Sequence, residues 1–255
     1  MSVFLILTFL FAVGSMIGWG IEVIYRRFVS QKHWVNPGFL TGPCLPLYGM
    51  SLCILYLLTG IENHIPANAL WLRKLILFLL MAIAITCLEY VIGVVSLKYT
   101  KVRLWDYTDQ WGNIQGMICP LYSFFWMVLS AIYYFLVHPH ILDALAWLAR
   151  NQAFSFGIGF FYGIFVIDLA YSAQLIMKIK QFAQEHEIYV RLEEFREDIY
   201  QHISEHQKPK FLLSLHTGQP LQQMLEKYHE LHFSADMMME EMKEKLEQIE
   251  QFRRR

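Results

Sequence analysis

Residues 75–95 read LILFLLMAIAITCLEYVIGVV, and Glu89 is the one charged side chain in this stretch. About 20 consecutive apolar residues are needed to cross the ~30 Å hydrocarbon core of a bilayer. The stretch therefore predicts a transmembrane helix. The presence of Glu89 within this helix requires an explanation, because an ionisable group inside lipid is costly and usually serves a function.

Similar apolar runs recur along the first 177 residues of the chain. Five of them predict transmembrane helices, at residues 2–25, 45–61, 71–97, 117–137 and 153–177. The composition agrees, since 56% of the residues are hydrophobic and the mean hydropathy is +0.34, which is too apolar for an ordinary soluble domain. We therefore expect an all-α fold, a polytopic membrane helical bundle of about five transmembrane helices, whose short second span is tilted or partly re-entrant.

Basic residues are concentrated after the first, third and fifth spans. The loops at 26–32 and 98–103 each hold three Lys or Arg residues, and Lys178 and Lys180 follow the fifth span. Short loops that are rich in Lys and Arg stay in the cytoplasm. We expect a multi-pass protein with its N-terminus outside the cell and its C-terminus in the cytoplasm.

The last part of the chain differs from the rest, because residues 178–255 carry 15 of the 22 acidic residues. We expect residues 1–177 to form the transmembrane bundle and residues 178–255 to form a cytoplasmic tail. Apolar side chains at three- and four-residue spacing from Ile188 to Ile203 predict an amphipathic helix in the tail. A near-heptad stripe from Leu221 to Phe252 predicts either a coiled coil, for homo-oligomerisation or partner docking, or a hairpin of the tail's own two helices.

Two stretches of the chain share one pattern, an acid late in a span followed by an Asn-Gly loop and a Pro-Leu-Tyr start of the next span. The first copy is Glu22, Asn36-Pro-Gly38 and Cys44-Leu-Pro-Leu-Tyr48, and the second is Glu89, Asn113-Ile-Gln-Gly116 and Cys119-Pro-Leu-Tyr122. The expected orientation makes the copies parallel, with both loops in the cytoplasm. Transport folds are often built from internal repeats with a site between them, so the pattern predicts a parallel internal repeat around an inner-face site.

Spans 1, 3 and 5 each carry one acid in their inner half, and the two loops carry further polar side chains. The candidates for a substrate site or transport pathway are Glu22, Asn36, Glu89, Asp106, Asn113 and Asp168. Each acid also has a structural interpretation. Glu22 is one helical turn from Arg26 and suits a solvated ion pair. Asp106 suits a turn cap or a pair with a basic neighbour, and Glu89 and Asp168 suit buried hydrogen bonds that lock the helices together.

Two further patterns concern helix packing and the lipid interface. Small residues four apart, at Gly14 and Gly18 and again at Gly159 and Gly163, predict close approach of another helix. Three aromatic residues of the second loop, Trp105, Tyr107 and Trp111, suit the membrane–water interface, where amphipathic rings settle.

Several function classes find no support in the sequence. The net charge of −1 gives no reason to expect a nucleic-acid partner. The four cysteines are scattered without metal-ligand spacing, and we expect neither a metal nor another cofactor. The chain has no nucleophile–base signature, no H-E-x-x-H and no phosphate-binding glycine loop, so nothing in it calls for an enzyme.

The two loop motifs resemble one known family. The stretch from Asn36 to Gly49, with Trp19 and Glu22 before it, is similar to the bacterial membrane family described as "putative ABC-transporter type IV" or "putative ABC transporter permease". The second block, from Trp105 to Tyr122, matches it as well. The resemblance covers about residues 14–175 and implies a multi-pass protein of the bacterial cytoplasmic (inner) membrane. It implies no particular substrate or catalytic residue.

Three functions are compatible with these features. The leading interpretation is a permease-like component that binds or moves a small solute or a lipid. Since the chain has no Walker A motif, an ATPase would be a separate subunit. The second is a membrane scaffold or sensor whose tail recruits partners, and the third is an enzyme at the inner leaflet that uses the region of Asp106 and Asn113.

Overall fold

The structure is a computed structural model, and it describes residues 2–66, 69–186, 188–196 and 221–230. The chain divides into two compact units, Met1–Leu192 and Glu193–Arg255. The first unit holds all the apolar spans and both loops of the repeated pattern. The functional candidates therefore all lie within it.

The described residues of the first unit form six α-helices. They are α1 (Val3–Tyr25), α2 (Pro46–Thr59), α3 (Leu70–Thr100), α4 (Pro120–Ile132), α5 (His138–Arg150) and α6 (Ser155–Glu185). π-Helical turns extend α1 through Arg26–Ser30 and join α4 to α5 through Tyr133–Val137, and short 3-10 turns lie at Glu62–His64 and Gln152–Phe154. Among the described residues the strands are two residues long, β1 (Val102–Arg103) and β2 (Val190–Arg191), and they pair in parallel. The predicted all-α membrane helical bundle is confirmed.

Four helices within the described residues are long and apolar enough to cross a membrane, where the sequence predicts five. They are Val3–Ser30, Leu70–Thr100, Pro120–Arg150 and Gln152–Glu185. The predicted second span is the shorter helix α2, whose 14 residues rise about 21 Å. The sequence predicts that the fourth span ends at residue 137. In the structure the helix continues without a break from Pro120 to Arg150.

Helices α1 and α2 pack closely, because glycines line their contact. A Cβ atom at Gly18 would lie 2.2 Å from Tyr48, and one at Gly14 would lie 2.9 Å from Leu52. Only glycine leaves room for this approach. The helix that the Gly14 motif predicts is therefore α2. At Gly159 and Gly163 of α6, by contrast, a Cβ atom would meet nothing within 4 Å among the described residues.

The apolar core occupies the end of the bundle where α3 begins. Leu10, Leu77, Met81 and Ile85 are fully buried there, and α5 contributes buried side chains to the same cluster. We call this the turn end, because it also carries the 3-10 turn that precedes α3. The opposite end, which carries residues 31–45 (loop 1) and 101–119 (loop 2), is called the loop end. The buried side chain of Asn36 lies in loop 1, and the buried Ser172 hydroxyl contacts the same loop.

The chain after the expected bundle boundary at residue 177 continues as helix. Helix α6 runs to Glu185, and residues 192–196 and 221–230 are also helical. Within the second unit the rings of Phe195 and Tyr228 meet edge to face, with their centroids 5.6 Å apart. Most of the predicted apolar stripes, including Ile203 and the heptad positions after residue 230, lies outside the described residues.

Candidate functional site

Loop 1 does not end at the surface of the bundle but turns back along α1. The backbone N–H of Leu45 donates to the carbonyl of Ser15 at 3.0 Å. Ser15 lies ten residues before the end of α1 at Tyr25, which corresponds to about 15 Å along the helix axis. Helix α2 therefore begins inside the bundle, beside the middle of α1.

Asn36 fixes the fold of loop 1 from the inside. Its side chain is 1% exposed. The indole Nε1 of Trp19 donates to its Oδ1 at 2.6 Å, and its Nδ2 donates to the carbonyl of Thr41 at 2.7 Å. Non-helical backbone inside a membrane protein needs such internal partners, since lipid offers none.

Asp168 of α6 holds the same loop from the other side. Its carboxylate accepts from the backbone N–H of Gly42 at 3.1 Å, from that of Thr41 at 3.2 Å, and from the Thr41 hydroxyl. The buried Ser172 hydroxyl lies 3.1 Å from the Thr41 nitrogen and accepts its N–H as well. A Cβ atom at Gly42 would lie 2.9 Å from Asp168, so this position favours glycine. Asp168 thus links α6 to loop 1 through hydrogen bonds.

Loop 2 is ordered by two polar side chains of its own. The Nδ2 of Asn113 donates to the carbonyls of Thr108 and Gln110 at 2.9 Å each, and its Oδ1 accepts from the Gly116 N–H at 3.0 Å. Gly116 has φ +68°, and a Cβ atom there would lie 2.9 Å from Asp106. The Asn113–Gly116 pair therefore closes a turn that only glycine can complete without strain.

Asp106 is the charged centre of loop 2. Its Oδ1 accepts from Arg103 at 2.7 Å and from the backbone and side chain of Thr108, and its Oδ2 lies 3.2 Å from the Nε of Arg191. Burial opposes its ionisation, but the Thr108 hydrogen bonds and the Arg103 guanidinium outweigh burial and lower the pKa of Asp106 below its ordinary value. Asp106 is thus a carboxylate held between two arginines.

Glu89 of α3 is the most enclosed of the candidate acids, with 3% of its surface exposed. Both of its oxygens have donors. The Tyr107 hydroxyl, which reaches in from loop 2, donates to Oε1 at 3.0 Å, and the Trp126 indole of α4 donates to Oε2 at 3.0 Å. Burial, and next the Glu89 charge, raise the pKa of the Tyr107 hydroxyl well above its ordinary value, so it remains a donor.

Glu22 of α1 is paired in a similar way but is less enclosed. Its Oε1 accepts from the Nε of Arg26 at 3.0 Å, and its Oε2 accepts from the Tyr48 hydroxyl at 3.1 Å. Its side chain is 21% exposed. Tyr48 is the tyrosine of the Pro-Leu-Tyr motif, so the motif contacts the acid of its own copy.

The surroundings of Glu22 and Glu89 meet at the boundary between the α1–α2 pair and the α3–α4 pair. The Tyr48 and Trp126 rings lie 5.4 Å apart between centroids, and these two side chains donate to Glu22 and to Glu89, respectively. Two more tyrosines close the group. Tyr122 stacks on Tyr107 at 4.3 Å, and its hydroxyl lies 3.3 Å from that of Tyr25. We call this group the seam cluster: Glu22, Tyr25, Arg26, Tyr48, Glu89, Tyr107, Tyr122 and Trp126.

The structure thus sorts the six sequence candidates into three pairs. Glu22 and Glu89 meet in the seam cluster, Asn36 and Asp168 both hold loop 1, and Asp106 and Asn113 both hold loop 2. The sequence missed the donors that serve Glu89. Trp126 gives no signal in an apolar run. Of the three loop 2 aromatics predicted at the lipid interface, Tyr107 donates to Glu89, Trp105 donates through Nε1 to the Met117 carbonyl at 2.9 Å, and Trp111 is 87% exposed, and their place at the interface stays a prediction.

The chemistry of these groups is that of hydrogen bonding and charge. Among the described residues, no three or more His, Cys, Asp or Glu side chains are grouped so that they could hold a metal ion. The Cys44 thiol is buried, which makes a structural role fit it better than a reactive one. In the seam cluster, acidic side chains lie among aromatic and apolar side chains.

The fold and the seam cluster together define a multi-pass helical membrane protein with paired carboxylates between two helix pairs. A family model described as "Putative ABC-transporter type IV" matches residues 9–173, and the chain belongs to this family. The matched region includes both loops and all six candidate residues. No curated protein and no solved structure matches the chain.

Proposed function

We propose that this protein is a permease-like component of the bacterial cytoplasmic membrane and that the seam cluster is where it binds or moves a small solute. The observation that carries the proposal is the meeting of Glu22 and Glu89 across the two helix pairs. Ionisable groups at membrane depth are rare and mark substrate or proton paths in many transporters. The family adds support, because its description names a transporter.

The six candidates have two kinds of role in this proposal. Glu22 and Glu89 contact the solute, and the other four position the loops that carry the donors. The contacts of Asp168 and Asn36 keep loop 1 against α6 and α1, and those of Asp106 and Asn113 keep loop 2 folded. Since Asp106 and Asn113 are engaged by their own loop, we do not propose an enzyme site there.

The charge of the seam cluster points to the chemistry of what it binds. Two acidic side chains share the seam cluster with one guanidinium, that of Arg26, which lies at Glu22. A positive group that enters between the acids complements them, and the surrounding aromatic rings attract cations through their faces. We therefore propose a solute with an amine or a similar cationic group, or a proton that travels with the solute.

The remaining parts of the proposal concern topology and partners. Loops 1 and 2 face the cytoplasm, the two helix pairs are the parallel copies of one repeat, and α2 crosses the membrane together with the inward part of loop 1. A separate ATPase subunit would supply energy. A tail of residues 178–255 that self-associates or recruits a partner stays a prediction, as does the scaffold or sensor alternative that depends on it.

A binding screen tests the proposal without the need to know the partner subunit. Purified full-length protein is heated with members of a panel of amines, amino acids and sugars, because a ligand that binds the folded state raises the unfolding temperature. We expect an amine-bearing compound to stabilise the wild-type protein and to lose this effect in Glu89→Gln. The same compound should then be taken up by vesicles from cells that contain the protein and its native partners, but not by vesicles with Glu89→Gln.

The matched control is Glu62→Gln at the turn end. Glu62 also accepts a hydrogen bond from a tyrosine, Tyr134, but it lies away from the seam cluster. Its variant should keep both ligand stabilisation and uptake. If ligands stabilise Glu89→Gln as strongly as the wild type, the seam cluster is not the binding site.

A further inference from the structure

The chain beyond α6 returns to the C-terminal end of α3, at the loop end of the bundle. Helix α3 ends at Thr100 and is capped by Lys101, which has the left-handed φ of +58°, and β1 then pairs in parallel with β2. The register places Val102 beside Val190, and both side chains are fully buried. The Val190 N–H also donates to the Lys101 carbonyl at 3.2 Å. A segment that follows the last span is thus attached by its backbone to the start of loop 2.

A charged contact strengthens this attachment. The same register places Arg103 beside Arg191, and Asp106 meets both of them, at 2.7 Å and 3.2 Å. Two neighbouring guanidinium groups repel each other unless a carboxylate lies between them. Asp106 therefore favours the paired arrangement of β1 and β2. We call β1, β2 and Asp106 together the brace.

The brace is directly connected to the seam cluster. Tyr107 follows Asp106 in the chain, and its hydroxyl is one of the two donors to Glu89. Its own N–H donates to the Gly116 carbonyl at 2.9 Å, so its backbone belongs to the folded part of loop 2. A shift of the Asp106 backbone therefore also moves the backbone from which the Tyr107 side chain reaches Glu89.

We propose that the brace couples the cytoplasmic tail to the seam cluster. Arg191 is a positioning residue in this device: through Asp106 it keeps the Tyr107 hydroxyl on Glu89. The second compact unit begins at Glu193, two residues after Arg191, so a partner that pulls on the tail pulls on β2 first. Release of β2 removes Arg191 from Asp106 but leaves Arg103 and Thr108 on its other oxygen, so loop 2 shifts, the Tyr107 hydroxyl withdraws and Glu89 is left with one donor fewer. The regulatory meaning rests on the function proposed above for Glu89, whereas the contact itself does not.

The contact is followed by ¹⁹F NMR of 3-fluorotyrosine placed at position 107 of the full-length protein in lipid nanodiscs. The Glu89→Gln variant gives the resonance position for a hydroxyl that has lost its charged acceptor. We expect Arg191→Ala to move the wild-type resonance toward that position. Arg191→Lys keeps the charge and should leave the resonance in place.

Two further variants separate positioning from a general loss of structure. Arg150→Ala removes an exposed arginine whose Nε donates only to a carbonyl of its own helix among its described hydrogen bonds, and it should not move the resonance. A disulfide between Val102→Cys and Val190→Cys joins register partners of the two strands. It should return the resonance of Arg191→Ala to the wild-type position, because it restores the brace without the charge.

The outcomes distinguish this proposal from the proposed function. An unchanged resonance in Arg191→Ala, an equal movement in Arg150→Ala, or a disulfide that restores nothing overturns the brace. These measurements need no solute. If the resonance behaves as expected but ligand binding does not depend on Glu89, the brace stands and the proposed binding site falls. If Glu89→Gln loses the ligand while Arg191→Ala leaves the resonance unmoved, the binding site stands and the brace falls.

Discussion

A buried acid such as Glu89 is tolerated in a membrane protein only when its surroundings replace the water it has lost. Hydrogen bonds to charged groups contribute about 1.5–3 kcal/mol each, whereas a buried charge without partners costs several kcal/mol. Glu89 receives one donor from loop 2 and one from α4. The acid thereby ties three elements together, and the same two donors make it sensitive to anything that moves loop 2.

Replacement of Trp126 by phenylalanine tests this dependence at one atom. Trp126→Phe keeps an aromatic ring in the core but removes the N–H that donates to Glu89. We expect the free energy of unfolding to fall by about 1–3 kcal/mol, the usual cost of leaving a buried acceptor without its donor. The measurement is reversible unfolding in detergent, followed by circular dichroism.

The control for this variant is Trp111→Phe in loop 2. The same chemical change at a side chain that is 87% exposed should alter stability by about 0.5 kcal/mol or less. Equal losses in the two variants would mean that the indole N–H of Trp126 contributes nothing specific to Glu89.

The candidate acids were predictable because a charge inside an apolar run is conspicuous and has an obvious physical cost. Their partners were not. The chain has 7 Trp and 14 Tyr residues, so an aromatic donor is available near almost any position, and only the folded arrangement selects Trp126 and Tyr107. Asp168 shows the same limit, because its partners are backbone N–H groups of a loop more than 120 residues earlier.

At the scale of elements, both loops of the repeated pattern turn inward before the next helix begins. In loop 1, Leu45 bonds to the middle of α1. In loop 2, Tyr107 reaches Glu89, eleven residues before α3 ends at Thr100. Counting apolar residues locates the helices but cannot detect these inward turns of the loops. A re-entrant segment needs shape and internal partners rather than a run of apolar side chains.

The close packing of α1 on α2 leads to a second prediction. At Gly18 an added methyl group would lie 2.2 Å from the Tyr48 side chain, so Gly18→Ala must displace α2 or rotate Tyr48 away from Glu22. Overpacking of this kind costs about 1–3 kcal/mol. We expect a lower unfolding temperature for Gly18→Ala, measured by differential scanning fluorimetry.

Gly20→Ala is the matched control on the same helix. Nothing lies within 4 Å of an added Cβ atom at Gly20 among the described residues, and alanine favours helix by up to about 1 kcal/mol. This variant should be neutral or slightly more stable than the wild type. A result in which both alanines destabilise equally would contradict the role given to the α1–α2 contact.

At the scale of the whole molecule, the first unit combines an apolar turn end with a polar loop end. Composition and hydropathy were enough to predict a helical membrane bundle, because the 20-residue length of a span is a strong constraint. Which spans cross, and in which direction, depends on a handful of Lys and Arg residues in the loops and on the inward turn of loop 1. The four long helices alone would place both termini of the first unit on one side, and α2 as a fifth crossing would place them on opposite sides.

Single cysteines in an otherwise cysteine-free variant decide between these two topologies. Lys32→Cys in loop 1, Asp109→Cys in loop 2 and Asn63→Cys at the turn end all replace polar residues, and all three side chains are exposed. If α2 crosses the membrane, an impermeant maleimide added to intact cells should label only Asn63→Cys, and inverted vesicles should expose the other two. Labelling of Lys32→Cys and Asn63→Cys from the same side would show that α2 returns without crossing. Because α2 packs against α1 and reaches residues near its start, as in the contact between the Cys53 thiol and the Leu7 carbonyl, we expect opposite sides.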